Sequence, residues 1–230
     1  GVLVLAGPKA RDVLQKLTRT DLSSASFPWL SAKQIDVNLA PSVAARVNFV
    51  GELGWELHHP IEYQNHIFDA LMSAGVEFGL KPFGIRAMDA MRLEKSYRMV
   101  GTEMSIEYAA LESGLDRFVQ LQKPDFIGRS GLLAWQEKGF ANSFVTLAVK
   151  DTTDRDVIGG NPIFKEGKLI GRATSGGYGF RIGKSLALAM VAPDCTDIGT
   201  SLEIDILGDL FAAEIVEESP FDPANERLRV

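Results

Sequence analysis

The chain has 230 residues, a formal net charge of −6 and 46% hydrophobic residues, enough apolar material for one large domain or two small ones. No basic cluster runs along it, which argues against nucleic acid as a partner, and no apolar run approaches the ~18 residues of a membrane helix. A single cysteine, Cys195, excludes a disulfide framework and any zinc site built on cysteines.

The opening Gly1-Val-Leu-Val-Leu-Ala6 reads as an apolar strand, of the kind normally covered on both faces. It has no methionine and no charged flank, so it is not a signal peptide, and a piece of a longer protein is expected. Gly7-Pro8 leads into a predicted helix over Lys9–Thr18, with Ala10, Val13, Leu14 and Leu17 at helical spacing. Ser31–Val37 and Val43–Phe49 read as strands joined by a turn containing Pro41. Gly51 and Gly54 then predict a tight reversal through positive φ, with a returning strand that ends at Leu57-His58-His59-Pro60. Along that strand Trp55 and Leu57 share one face and Glu56 takes the other, which plants a carboxylate among large apolar groups.

Helices are predicted over Glu62–Ser73 and Ile85–Lys95, with a connection between them across Val76–Gly84. Gly131–Lys138 is the next helix. Six short strands follow: Phe144–Val149, Pro162–Phe164, Leu169–Thr174, Ser185–Val191, Ser201–Ile206 and Leu210–Ile215. Their predicted turns are Glu166-Gly-Lys168, Ser175-Gly-Gly177 and Gly208-Asp209. The expected fold class is α+β: an antiparallel sheet with packed helices in residues 1–134, then a small all-β, barrel-like domain in 135–230.

Several motifs fall in one order. Gly51-Glu-Leu-Gly-Trp-Glu56 resembles the G-E-x-G-[YW]-E signature of the folate-dependent aminomethyltransferases, the T-protein family of the glycine cleavage system. Ala6-Gly-Pro-Lys-Ala10, Asp89-Ala-Met-Arg-Leu-Glu94, Asp125-Phe-Ile-Gly-Arg129 and Gly171-Arg-Ala-Thr-Ser-Gly176 are similar to other segments of that family. Glu94-Lys-Ser-Tyr-Arg98, Leu111-Glu-Ser-Gly-Leu115 and Ser219-Pro-Phe-Asp-Pro-Ala-Asn225 resemble the folate-binding C-terminal part of the dimethylglycine and sarcosine dehydrogenase branch.

The resemblance implies tetrahydrofolate as the cofactor. Glu56 would hydrogen-bond the donor edge of the pterin, and Phe49, Trp55 and Tyr178 would line the site, with a place in the core open for Trp55 and one in a hairpin loop for Tyr178. Phe49 stands where many relatives carry tyrosine, so it keeps a stacking face and lacks the hydroxyl. Met88 stands where many carry an arginine that meets the folate tail, so that role does not transfer. The family's key acidic group lies in a segment preceding this one, so no catalytic residue is named.

In the dehydrogenase branch a flavin domain outside this chain oxidises an N-methyl amine to an iminium. The folate module captures the one-carbon unit as methylenetetrahydrofolate. Without folate, water hydrolyses the iminium and releases formaldehyde. The substrate is then a small molecule derived from an N-methyl amine. The implied location is the cytoplasm in bacteria and the mitochondrial matrix in eukaryotes. A stand-alone aminomethyltransferase or folate-dependent demethylase stays open as an alternative. A non-catalytic folate-binding assembly protein is disfavoured, because the K-G-C-Y-x-G-Q-E motif of those relatives has no match.

The remaining titratable groups give less. His58 and His59 are adjacent on an extended segment and point to opposite faces, while His66 lies on a helix, so no metal site is expected. Glu52 reads as a solvated turn residue, Arg86 as a surface charge, and Arg92 and Glu94 as structural partners within an apolar helix. Cys195 has no base beside it and reads as inert.

Overall fold

The computed structural model describes residues 1–152 and 154–230, which form two compact units: Gly1–Arg92 with Asp222–Val230, and Leu93–Phe221. In the first unit, β1 (Val2–Ala6) leads to the short helix α1 (Ala10–Gln15), then β2 (Ala32–Val37), β3 (Ala40–Ala45) and β4 (Gly54–His58). The helices α2 (Gln64–Gly75) and α3 (Ile85–Leu93) follow. The four strands make an antiparallel sheet in the order β1-β4-β3-β2.

Strand alternation decides which side chains enter the core. Leu5 of β1 pairs with Trp55 and Leu3 with Leu57, and these residues pack with Ala44 and Ile35 against Val13 and Leu14 of α1 and Ile67 and Leu71 of α2. The opposite face carries Val2 and Val4, which are 50% and 41% exposed, so residues of this chain cover β1 on one face only.

Two local predictions change in this unit. Asn38 and Leu39 make the β2–β3 turn with φ of 47° and 70°, and Pro41 sits within β3 opposite Asp36. That stretch lies beyond the residues paired to β4, an edge-like position that tolerates a missing N–H. The two glycines of the reversal also do different jobs. Gly51 adopts φ of 75°, whereas Gly54 permits close approach: a Cβ there would lie 2.5 Å from Leu5 O and 3.0 Å from Ala6 Cα. Asn48 shapes the loop, accepting from the amides of Val50 and Gly51 at 3.0 and 3.1 Å and donating to Glu52 O at 2.5 Å.

The second unit holds α4 (Arg129–Lys138) and six strands: β5 (Ser143–Val149), β6 (Pro162–Lys165), β7 (Lys168–Gly179), β8 (Lys184–Val191), β9 (Ser201–Ile206) and β10 (Asp209–Val216). They close into an antiparallel barrel in the order β10-β5-β8-β7-β6-β9. Val145, Leu147, Ile163, Ala187, Ala189, Ile204 and Ile215 are among the residues that fill it. β8 is buried along seven of its eight residues because Leu186 and Leu188 pack on its other side against Leu93, with Phe144 and Ile182 beside them.

β7 runs five residues further at its C-terminal end than predicted and starts one residue earlier. The Ser175-Gly-Gly177 turn and the stretch through Tyr178 are strand, paired with β8 and interrupted by a register shift between Ala173 and Ser175. Glycines fit there because neighbours press close: a Cβ on Gly176 would lie 2.5 Å from Val157, and one on Gly179 2.9 Å from Glu94 Cγ.

Buried charges hold the chain that precedes the barrel. Glu94 accepts from the Arg181 amide at 2.6 Å and pairs with the Arg181 guanidinium. Arg98 pairs with Glu218, donates to Ser113 O at 2.8 Å and lies 3.8 Å from the centre of the Phe144 ring. Glu112 accepts from the amides of Ala109 and Asn142 at 2.9 and 3.0 Å. Glu103, fully buried, accepts from the hydroxyls of Thr174 and Ser175, both at 2.6 Å, and from the Met99 amide at 2.9 Å. The Thr-Ser-Gly segment is thus a clasp for a buried carboxylate.

Candidate binding pocket

The first unit contains a pocket of about 590 Å³. β1 and the Ala6–Lys9 turn form one wall, and Phe49 and Val50 come from the loop before β4. Phe68, Leu71 and Met72 come from α2, and the Phe78–Gly84 connection leads to Ile85 and Met88 of α3. The lining is predominantly apolar, and its ionisable side chains are Glu56, Lys9 and Lys81. A volume of this size with few placed polar groups suits one small organic ligand.

Glu56 is planted by β4. Its strand neighbours across the sheet are Val4 on one side and Ala45 on the other, neither of which can hydrogen-bond a side-chain oxygen with its own side chain. Among the described residues its one hydrogen-bond partner is His58, whose Nε2 lies 3.2 Å from Oε2. The Glu56 side chain is 32% exposed and that of His58 47% exposed. Oε1 has no hydrogen-bond partner among the described residues. A carboxylate over an apolar wall matches a flat heterocycle that presents paired N–H donors.

The predicted site residues divide. Glu56 and Phe49 line this pocket together. Trp55 does not: it is fully buried on the core side of β4, edge-on to Phe27 at 6.1 Å between ring centres. The alternation that turns Glu56 outward turns Trp55 inward, and Trp55 is not among the residues that line this pocket. Arg46, also buried, lies 5.8 Å from the Trp55 ring centre and donates to Phe27 O at 2.6 Å. Burial pulls the Arg46 guanidinium below its usual range, and the nearby Arg11 charge adds to this. Tyr178 belongs to the second unit, where it is exposed and meets Phe180 edge-on at 5.0 Å.

Other residues also find their places. Glu52, predicted to be solvated, pairs with Arg227 at 3.2 Å. His59 is buried, with Nδ1 2.9 Å from Leu57 O and Nε2 2.9 Å from Gln64 Oε1. Burial first, with Asp194 second, pushes the Cys195 thiol up from its usual range. No group of three His, Cys, Asp or Glu able to hold a metal occurs among the described residues. No helix there is long and apolar enough to cross a membrane. The Glu56–His58 contact was missed in the sequence, although residues i and i+2 of a strand share a face. Lys9 and Lys81 were missed because the wall they join is made of connections, which carry no periodic signal.

A helix-backed antiparallel sheet with a carboxylate in an apolar pocket is followed along the chain by a closed barrel. Residues 1–123 match the GCVT N-terminal domain and residues 142–222 the glycine cleavage T-protein C-terminal barrel domain. The chain belongs to the glycine cleavage T-protein family. It is 43% identical over 232 residues to human mitochondrial dimethylglycine dehydrogenase, covering 100% of this chain and 27% of that protein. Mouse mitochondrial sarcosine dehydrogenase is 31% identical, with 100% of this chain and 26% of that protein covered. An aminomethyltransferase of Desulfitobacterium hafniense is 34% identical, with 93% and 58% covered. The chain thus spans about a quarter of the length of the dehydrogenases it matches. The crystal structure of the glycine cleavage system aminomethyltransferase T from Bartonella henselae superposes with a TM-score of 0.84, covering 96% of this chain and 60% of that one, at 22% identity.

Proposed function

We propose that this chain is the tetrahydrofolate-binding part of an enzyme of the dimethylglycine and sarcosine dehydrogenase type. The observation that carries the reading is Glu56, a partly exposed carboxylate with one hydrogen-bond partner among the described residues, set in an apolar pocket of about 590 Å³. Phe49 and Val50 would hold the flat pterin, and Glu56 would accept from its N–H donors. When bound, tetrahydrofolate supplies the amine nitrogens that take up a one-carbon unit.

The chain's own residues bind and orient. Glu56 fixes which edge of the ring enters, and the apolar walls keep water from the bound ring. Lys9 and Lys81 offer cations to the anionic end of the ligand, a task that Met88 cannot perform. Tyr178 and the flavin chemistry of the longer relatives rest on the family resemblance. In this reading a flavin domain elsewhere oxidises the N-methyl amine, in the mitochondrial matrix if the protein is eukaryotic.

The test is product partition in the full-length protein. With tetrahydrofolate present, oxidation of the N-methyl amine is expected to yield mainly methylenetetrahydrofolate, and Glu56→Ala is expected to divert the carbon to formaldehyde. An unchanged partition in Glu56→Ala removes the pocket from the reaction. Absence of any amine oxidation, with folate-dependent methyl transfer from another donor, favours the aminomethyltransferase alternative.

A further inference from the structure

We infer that His58 is a positioning residue for the pocket carboxylate, holding Glu56 in the plane in which it meets the ligand's donors. The inference rests on the folate reading of the pocket. Glu56 and His58 are residues i and i+2 of β4 and project from the same face of the sheet. Their Nε2–Oε2 separation is 3.2 Å. An ionised carboxylate only accepts, so the imidazole donates, and the proton sits on Nε2.

The side chains directly across the sheet offer this bond no competing donor or acceptor. Val4 and Ala45 flank Glu56, and Val2 and Val43 flank His58 on the neighbouring strands. Glu56 has no other hydrogen-bond partner among the described residues. A glutamate reaching across a small apolar surface has three free torsions, and the last one, which turns the carboxylate plane, is broad. A single donor on Oε2 selects one orientation and directs Oε1 at the pocket. A ligand that needs both oxygens in register then meets a carboxylate already set, and less freedom is lost on binding.

His58 also lies at a boundary. Glu56 lines the apolar pocket, while His58 lines a polar depression with Gln34, Asp36 and Thr20. The imidazole is exposed, and the bond to Glu56 is its one side-chain hydrogen bond among the described residues, so replacing it leaves the core intact.

The experiment is a set of tetrahydrofolate titrations on the full-length protein: wild type, His58→Ala, His58→Gln, Glu56→Ala and the Glu56→Ala/His58→Ala double variant. His58→Ala is expected to weaken binding about tenfold, the usual scale of one hydrogen bond to a charged group. His58→Gln keeps a donor at similar reach and should restore most of the loss. In the Glu56→Ala background His58→Ala should change nothing further. Wild-type affinity in His58→Ala, an equal loss in the Glu56→Ala background, or no rescue by His58→Gln overturns the role of His58 alone. Wild-type affinity in Glu56→Ala, by contrast, overturns the pocket reading and this inference with it.

Discussion

Glu103→Gln removes one charge from the clasp at β7 and changes little volume, so its effect can be worked from the geometry. Oε1 of Glu103 accepts two hydroxyls at 2.6 Å, from Thr174 and Ser175, and Oε2 accepts the Met99 amide at 2.9 Å. If the glutamine oxygen keeps the hydroxyls, its NH₂ faces the Met99 N–H, donor against donor. That conflict costs about 1–3 kcal/mol, and two charge-assisted bonds each weaken by roughly 1 kcal/mol. Relief from burying a charge offsets part of this. The net destabilisation is about 2–3 kcal/mol, or roughly a 30- to 150-fold rise in local opening. Amide hydrogen exchange of β7 and β8 in the full-length protein measures it without requiring two-state unfolding of the whole molecule. Acceleration of less than about fivefold, equivalent to under 1 kcal/mol, would refute the clasp.

Gly54→Ala places a Cβ 2.5 Å from Leu5 O, and the shift of β1 this forces should destabilise the first unit by about 1–3 kcal/mol in exchange or denaturant measurements. Lys81→Ala should weaken tetrahydrofolate more than tetrahydropteroate, which lacks the glutamyl carboxylates; equal losses on both would show that Lys81 does not meet the anionic end. Cys195 should be alkylated more slowly than a free thiol at pH 8. Its raised pKa lowers the thiolate fraction at that pH, and the rate should recover only as pH climbs further or the chain unfolds.

Much of this was legible from short-range pattern. Alternation in Gly54–His58 separated Glu56 from Trp55 and Leu57 before any contact was known, and the barrel strands stood out as short apolar runs between turns. The aromatic character of Trp55 fits a ligand wall and a core place equally, and its burial against Phe27 puts the ring on the core side of β4. Gly176 and Gly177 looked like a turn because glycine marks turns most often. Here they mark places where Val157 and Leu93 press on a continuous strand, a long-range fact that local propensity cannot carry. Glu103 gave no local signal either, since its partners Thr174 and Ser175 lie about seventy residues away in sequence.

The central claim is that Glu56 organises a reduced-folate pocket, and the most direct test is calorimetric titration of tetrahydrofolate into the full-length protein and its Glu56→Gln variant. Saturable binding is expected, weakened in the variant by about 2 kcal/mol, roughly thirtyfold, near the low end for a charge-assisted pair because the carboxylate is partly exposed. Equal affinity in a folded Glu56→Gln protein would contradict the account.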